Sequence, residues 1–325
     1  HNVSNPLQAK DASTQPPHAY GHIERTYSEW SLSSFASGAG AQSCQSCHFP
    51  LVEGGGQVSK YDEGTREHFV RHGAVGGSTW VQEAVAALWP DSGLTRAHLD
   101  LAKRRARALL RSAASLEIRS NDDSPVLRIT NNSGHKLPTG YPEGRRLWVN
   151  LRYLDASGSV LAEVGHYGET TATLGGKSVQ VPTLLDPEAT RVYENNPGLS
   201  ESQAKRHNLK PGKSFHFVLN DVILKDNRIP PRGFNNAKFA EHQSQPVGAV
   251  YEDGQHWDDV PLAPPKGTKK ILVRLYYQSV SWEYLKFLYE ENKSDDWGQK
   301  LYDVWTTTGK CAPEVIAELE APWKS

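Results

Sequence analysis

Residues 126–155 read VLRITNNSGHKLPTGYPEGRRLWVNLRYLD, and this stretch decides the fold class. It begins and ends with runs of β-branched and aromatic residues, VLRIT and RLWVNLRYL, which are typical of strands. The connection between them is rich in Asn, Gly and Pro and therefore predicts a loop. Two further runs, SFHFVLNDVIL at 214–224 and KKILVRLYYQSV at 269–280, have the same character. Together they predict an antiparallel, β-sandwich-like domain.

Helical patterns flank this β-region on both sides. The segment LTRAHLDLAKRRARALLRS predicts a helix with Thr95 as its N-cap, and residues 63–89 predict two short helices separated by GAVGG. WEYLKFLYEEN and WGQKLYDVWTTTG predict helices after residue 281. We therefore expect an α+β protein. A helical, loop-rich domain covers residues 1–115, and a β-sandwich-like domain with a helical C-terminal tail covers residues 116–325.

Bulk composition excludes several functional classes. The 325 residues carry a formal net charge of −1, so no extended basic surface for nucleic acid is expected. No apolar run approaches the ~20 residues of a membrane-spanning helix. Methionine is absent, even at position 1, which suggests a processed or truncated start. Three cysteines are too few for a disulfide-stapled scaffold.

The sequence CQSCH at 44–48 is the motif that carries chemistry. It matches the C-x-x-C-H pattern of c-type haem attachment, in which two thiols bond covalently to the porphyrin and the histidine ligates the iron. Cys44, Cys47 and His48 are accordingly predicted to bind at least one haem c. Because these thioethers are made on the outer side of a bacterial or organelle membrane, we expect a periplasmic or extracellular location.

Two other interpretations compete for the same cysteines. A structural zinc site needs four ligands, and Cys311 with scattered histidines would have to complete it. A thioredoxin-like redox pair needs a strand before the motif and a helix after it. The flanks FASGAGAQS and FPLVEGGGQV instead have the composition of loops.

The missing methionine restricts the sixth haem ligand. Met is a common axial ligand in cytochromes c, and this chain has none, so the iron is either bis-histidine or open on its distal side. His135 follows Gly134 in the loop between the two strands quoted above, where an imidazole could point at iron or simply cap a turn. Arg145 and Arg146 lie close by in sequence and are predicted to pair with haem propionates.

The pair His68 and His72 is the other candidate for a ligand. A spacing of four would place both imidazoles on one face of a helix, which suits a metal pair, a single distal ligand or two solvent-facing side chains.

Taken together, TYSEWSLSSFA…QSCQSCHFP, RHGAVGGSTWV and NNSGHKLPTGYPEGRRLWVNLRYLD resemble secreted multihaem cytochrome c-family proteins of respiring bacteria. The resemblance implies that His135, in the GHKLPTG loop, is a haem ligand, and that His72 is a further candidate. The opening HNVSNP is similar to the residues that come after the cysteines of another such motif, so His1 would ligate a second haem. An N-terminal histidine could alternatively chelate copper.

These observations predict a c-type cytochrome that carries out one-electron transfer, with a bis-histidine haem and with redox proteins, including other multihaem cytochromes, as partners. An electron carrier is expected rather than a catalyst. The alternatives are a haem enzyme with an open distal site, peroxidase-like or reducing a small oxide, and a docking module of a larger multihaem complex.

Overall fold

The computed structural model describes residues 24–49, 51–71, 73–121 and 124–323. The predicted ligands His1 and His72 lie outside these ranges. The α-helices are α1 (Thr26–Ser31), α2 (Cys44–His48), α3 (Val81–Leu88), α4 (Arg96–Ser112), α5 (Glu201–His207), α6 (Asn236–Glu241), α7 (Trp282–Glu291) and α8 (Trp297–Thr307). Short 3-10 helices cover Pro90–Ser92 and Pro187–Ala189.

Most of the strands of the described residues lie beyond α4. The strands are β1 (Gly56–Ser59), β2 (Asp62–Arg66), β3 (Ala114–Asn121), β4 (Ser124–Asn131), β5 (Arg146–Leu154), β6 (Val160–Val164), β7 (Tyr167–Leu174), β8 (Lys177–Leu184), β9 (Val192–Tyr193), β10 (Asn195–Leu199), β11 (Gly212–Lys213), β12 (Val222–Asp226), β13 (Trp257–Pro261), β14 (Lys270–Gln278) and β15 (Glu314–Pro322).

The largest sheet has the order β15-β14-β5-β6, with β9 also paired to β5, and all its pairings are antiparallel. A second antiparallel sheet has the order β13-β4-β3. Alternate apolar side chains of the two sheets meet in one core cluster, to which Leu127 and Ile129 of β4 and Val149, Val273 and Leu275 of the larger sheet contribute. Removing this apolar surface from water is what stabilises the packed sheets.

The combination of helices with antiparallel sheets confirms the α+β class. The division at residue 115 stays a prediction, and contacts cross it, such as the paired hydrogen bonds of 2.9 Å from Arg107 to Glu314. The N-cap prediction for α4 is confirmed, because the Thr95 hydroxyl accepts from the backbone N–H of His98. Within the described residues, no helix has both the length and the apolar character needed to cross a bilayer.

The helices expected after residue 281 are present as α7 and α8. Three details of the predicted secondary structure are wrong. Residues 214–221 form no strand, and only the last three residues of SFHFVLNDVIL lie in β12. The two helices are not the last element, because β15 follows them and returns to the sheet beside β14. The alternation in EVIAELE has the period of two that suits a strand. The first of the two helices expected in 63–89 is also absent: β2 occupies 62–66, and His68 lies in the turn after it. The apolar residues there are too sparse to favour a helix over a hairpin.

Candidate haem site

The C-x-x-C-H motif folds as the five-residue helix α2. Ser43 caps it: its hydroxyl accepts from the backbone N–H of Ser46, and the Ser46 hydroxyl accepts from that of Ser43, at 3.3 and 3.2 Å. This reciprocal cap lets so short a helix form. Residues three apart share a helix face, so Cys44 and Cys47 lie on one side. Both are free and exposed.

The environment of the two thiols does not favour a redox-active pair. The Cys47 thiol contacts Gln42 Oε1 at 3.4 Å. Burial and the neighbouring Cys44 sulfur raise the pKa of the Cys47 thiol, whereas a reactive thiolate needs a lowered pKa. Residues 32–43, which precede the motif, also contain no strand. A thioredoxin-like redox pair is therefore not supported here.

Cys311 does not complete a metal site with this pair. It is buried in a separate apolar cluster with Trp282 and Trp305, and its sulfur lies 3.5 Å from the Ser279 hydroxyl. In the part of the chain that the structure describes, no three His, Cys, Asp or Glu side chains come together to hold a metal ion. The zinc interpretation therefore lacks its remaining ligands among these residues.

His48, the last residue of α2, is oriented by the backbone of Val75. Its Nδ1 lies 2.6 Å from the carbonyl oxygen of Val75, and the Val75 N–H donates to the His48 carbonyl at 2.8 Å. Since a carbonyl can only accept, Nδ1 must carry the proton, and Nε2 then has its lone pair available for a metal. An Nδ1–H bonded to a backbone carbonyl is the usual second interaction of a metal-ligating histidine.

His135 is held in the same tautomer by its own loop. Its Nδ1 lies 3.0 Å from the Lys136 carbonyl oxygen and 3.3 Å from the Ser133 hydroxyl. The His135 carbonyl accepts from the side chains of Asn131 and Ser133 at 2.8 and 2.9 Å. Asn131 also bonds the carbonyls of Ile229 and Pro230, so the loop is fastened to the chain beyond β12.

The structure brings these two imidazoles together. The ring centroids of His48 and His135 are 6.3 Å apart, with 31° between the ring planes. Among the described residues, Nε2 of neither ring has a hydrogen-bond partner. A metal–imidazole bond is about 2.0–2.1 Å long and the ring centre lies about 1.1 Å behind the ligating nitrogen, so one metal shared by two opposed rings separates their centroids by about 6.3 Å. The spacing fits one iron between them.

The protonation state of His135 also suits a ligand. Although part of the side chain is accessible, packing around it removes water, and this desolvation lowers the pKa of His135. The hydrogen bond to Lys136 and the charge of Glu29 act in the opposite direction but do not outweigh it. His135 is therefore neutral at pH 7, as metal ligation requires.

A buried cluster of four charges lies behind the His135 loop. The Lys136 side chain is fully buried, and its ammonium donates to Asp226 at 2.7 Å. Arg228 donates to both Asp226 oxygens, at 2.8 and 2.7 Å, and to the Pro138 carbonyl at 3.2 Å. Glu29, from α1, lies 3.0 Å from Arg228. The two cations and two carboxylates balance, as buried charges must.

Helix α1 touches both sides of the histidine pair. Glu29 Oε2 accepts from the Lys136 N–H at 3.1 Å, just beyond His135. Trp30 contacts Gly134, where an added Cβ would come within 3.2 Å of the indole. The Trp30 N–H donates at 2.9 Å to the carbonyl of Gln42, whose side chain meets the Cys47 thiol. Gly134 therefore makes room for aromatic rings of the protein, and α1 connects the two halves of the site.

The two arginines predicted to bind propionates differ in their surroundings. Arg146 is buried, and its three nitrogens face Gln278 of β14, Thr183 of β8 and Glu283 of α7 at 3.1, 3.2 and 3.5 Å. Arg145 donates to the Thr139 carbonyl, at the end of the His135 loop. Its Nε is buried and has no hydrogen-bond partner among the described residues.

Sequence reasoning did not identify Glu29, Asp226 and Arg228 as part of the site. KDNR at 225–228 stands between the apolar runs VIL and IPP, and charged residues in such a position are a signal for a buried ion pair. Glu29 has no comparable signal, because a lone Glu in a short polar helix is usually solvent-exposed.

Comparison with known proteins gives limited information. No family model matches the chain, and no curated protein is significantly similar to it. A structural match was found to a crystal structure of a penta-heme cytochrome c552 from Thermochromatium tepidum, with 18% sequence identity and a TM-score of 0.47. The match covers 95% of this chain and 52% of that protein, so the chain spans about half of its length. A likeness this weak carries no argument about fold or function.

Proposed function

We propose that this chain is a c-type cytochrome that transfers single electrons through a haem held by Cys44 and Cys47, with His48 and His135 as axial ligands. The observation that carries the proposal is the 6.3 Å separation of the two imidazoles, each with Nδ1 engaged and Nε2 without a described partner. Two free thiols on the same turn as His48 supply the attachment points. The donor set therefore matches the group in number, kind and spacing.

The haem would supply a one-electron iron couple, and the protein would set its potential. Axial ligand identity, burial and nearby hydrogen bonds are the means available, and two histidines give a lower potential than a histidine and a methionine. Both Nδ1–H groups donate to backbone carbonyls, which increases the basicity of the ligating nitrogens. We expect an electron carrier rather than a catalyst, because both axial positions are occupied by protein.

Other parts of the proposal follow from haem attachment. Thioether formation places the protein in the periplasm or outside the cell, and its partners are redox proteins, including other multihaem cytochromes. Arg145, whose Nε has no described partner, is the better candidate for a propionate ligand. Arg146 is already engaged by three side chains. Ligation of further iron by His1 and His72 stays a prediction.

Mass spectrometry and electron paramagnetic resonance of the purified protein test the proposal. Intact mass should exceed that of the polypeptide by one haem per C-x-x-C-H motif, and the colour should stay with the protein in acidic acetone. The ferric spectrum should be low-spin in the wild type and high-spin in His135→Ala. The matched control is His207→Ala, which removes an exposed histidine at the end of α5 and should leave the spectrum unchanged.

Two outcomes would overturn it. Absence of covalent haem would remove the basis of the proposal altogether. A low-spin spectrum that persists in His135→Ala would exclude His135 as ligand. A high-spin wild-type spectrum with rapid binding of carbon monoxide would instead support the haem enzyme with an open distal position.

A further inference from the structure

Glu29 is buried to an unusual degree for a residue on so short a helix. Its side chain has no exposed surface, although α1 is only six residues long. Burying a carboxylate is strongly unfavourable unless hydrogen bonds and counter-charges replace its water. The groups that the Glu29 carboxylate binds must therefore account for its burial.

The contacts of Glu29 concentrate on the loop that presents His135. Oε2 accepts from the backbone N–H of Lys136 at 3.1 Å and from the hydroxyl of Thr139 at 2.8 Å. Oε1 faces Arg228 at 3.0 Å, in an ion pair that lacks the alignment of a hydrogen bond. One carboxylate thus fastens the loop at two points, on both sides of Leu137 and Pro138.

The next residue of the helix fastens the other half of the site. Trp30 packs against Gly134 and donates to the Gln42 carbonyl, shortly before Cys44. Since consecutive residues of one rigid turn reach the His135 loop and the segment that precedes α2, the spacing between the imidazoles depends on α1. Neither histidine contacts the other's element through a direct hydrogen bond among the described residues.

We propose that Glu29 is a positioning residue for the distal ligand: through Lys136 and Thr139 it holds the loop so that His135 faces His48 at a distance that one iron can span. The inference rests on the proposed function. It goes beyond that function by assigning control of the position of His135 relative to His48 to a carboxylate on a separate helix. Charge balance in the cluster with Asp226 and Arg228 makes the arrangement specific to Glu rather than to any hydrogen-bond acceptor.

The variant Glu29→Gln tests this, because glutamine keeps the shape but removes the charge and leaves the cluster with one uncompensated cation. The glutamine oxygen can still accept from Lys136 and Thr139, but a neutral acceptor binds more weakly than a carboxylate, by an amount that shifts an equilibrium about tenfold. We therefore expect the ratio of high-spin to low-spin ferric iron to rise about tenfold at unchanged haem content. Added imidazole should restore the low-spin signal, because it replaces a displaced His135. Because imidazole binds any vacated iron position, an unchanged circular dichroism spectrum of Glu29→Gln must accompany the rescue to exclude unfolding as its cause.

Two further variants keep the test decisive. Glu83→Gln is the matched control: Glu83 pairs with Arg96 and Lys103 in α4, apart from the loop, and its loss should leave the spectrum unchanged. Thr139→Val removes one of the two hydrogen bonds to Glu29 Oε2 and keeps every charge. It should raise the ratio of high-spin to low-spin iron as Glu29→Gln does, but less. It also provides the readout if Glu29→Gln fails to fold.

The outcomes separate the inference from the function on which it rests. If His135→Ala becomes high-spin while Glu29→Gln and Thr139→Val both keep the wild-type spectrum, the positioning role is wrong and the proposed ligation stands. If His135→Ala stays low-spin, the proposed ligand itself is wrong. If imidazole fails to rescue Glu29→Gln, the change in spin state does not come from displacement of His135, and the positioning role is again refuted.

Discussion

Replacing Asp226 by asparagine should destabilise the protein far more than a change of one atom suggests. Asp226 accepts the Lys136 ammonium and two nitrogens of Arg228, and all three side chains are at least 95% buried. The variant leaves two buried cations with Glu29 as their only described counter-charge. Removing one partner of a buried ion pair costs about 3–5 kcal/mol. At about 2–4 °C per kcal/mol, the melting temperature should fall by about 6–20 °C.

The assay is thermal unfolding followed by circular dichroism, with Asp259→Asn as the matched control. Asp259 also binds an arginine through two hydrogen bonds, but that pair is partly exposed, and its loss should cost at most about 1 kcal/mol. The double variant Lys136→Met with Asp226→Asn should recover part of the stability, because the unpaired ammonium is gone. Equal effects of Asp226→Asn and Asp259→Asn would refute the reasoning.

The same carboxylate has a definite pH dependence. Burial alone would raise the pKa of Asp226, but Arg228 and Lys136 outweigh it and hold the pKa below its ordinary value. A depressed folded-state pKa stabilises the protein above the unfolded value of about 3.9, and this stability is lost as the pH falls through the folded value. The difference between wild type and Asp226→Asn should therefore narrow below about pH 4. A difference in the free energy of unfolding that stays constant with pH would show that the charge of Asp226 is not the cause of its stabilising effect.

Two further predictions concern other buried positions. Glu143 has no hydrogen-bond partner for its carboxylate oxygens among the described residues, and burial raises its pKa to about 7, so the folded protein holds a proton that the unfolded chain releases near pH 4–5. From this group alone, the free energy of unfolding should fall by about 3 kcal/mol between pH 4.5 and 7. Glu143→Gln should remove this dependence on pH when unfolding is measured across the range. An unchanged dependence would contradict the prediction. Gly165 has φ +73°, and an added Cβ would lie 2.1 Å from the Val149 carbonyl oxygen in β5. Backbone strain alone would lower the free energy of unfolding by about 1–3 kcal/mol, and the clash should make the loss in Gly165→Ala larger than that. Gly158→Ala, with φ +84° and open space around it, should cost only the strain, and equal losses in thermal unfolding would refute the argument.

The sequence is most informative where the evidence is local. The alternation of VLRIT and RLWVNLRYL predicts β4 and β5, and Thr95 predicts the start of α4, because strand period and helix caps are set within a few residues. Likewise the C-x-x-C-H spacing alone requires two thiols and an imidazole on one turn, which α2 provides.

Local patterns are weaker where few residues carry them. The apolar positions after Glu63 suggest a helix, yet the chain forms the β1–β2 hairpin there, with Gly55 and Gly56 at its start. The composition of the C-terminal region suggests a helical tail, whereas pairing with β14 makes the final segment a strand. In both cases pairing with a neighbouring strand decides the outcome.

The sequence alone therefore predicted the α+β class and the strands β4, β5 and β14. Only the tertiary structure decided which histidine faces His48. A histidine can occur in any loop, and folding alone sets the distance between two imidazoles. It also decided that Glu29, Asp226 and Arg228 surround the His135 loop. Charges are buried only where partners from distant parts of the chain compensate them, and that compensation exists in three dimensions alone.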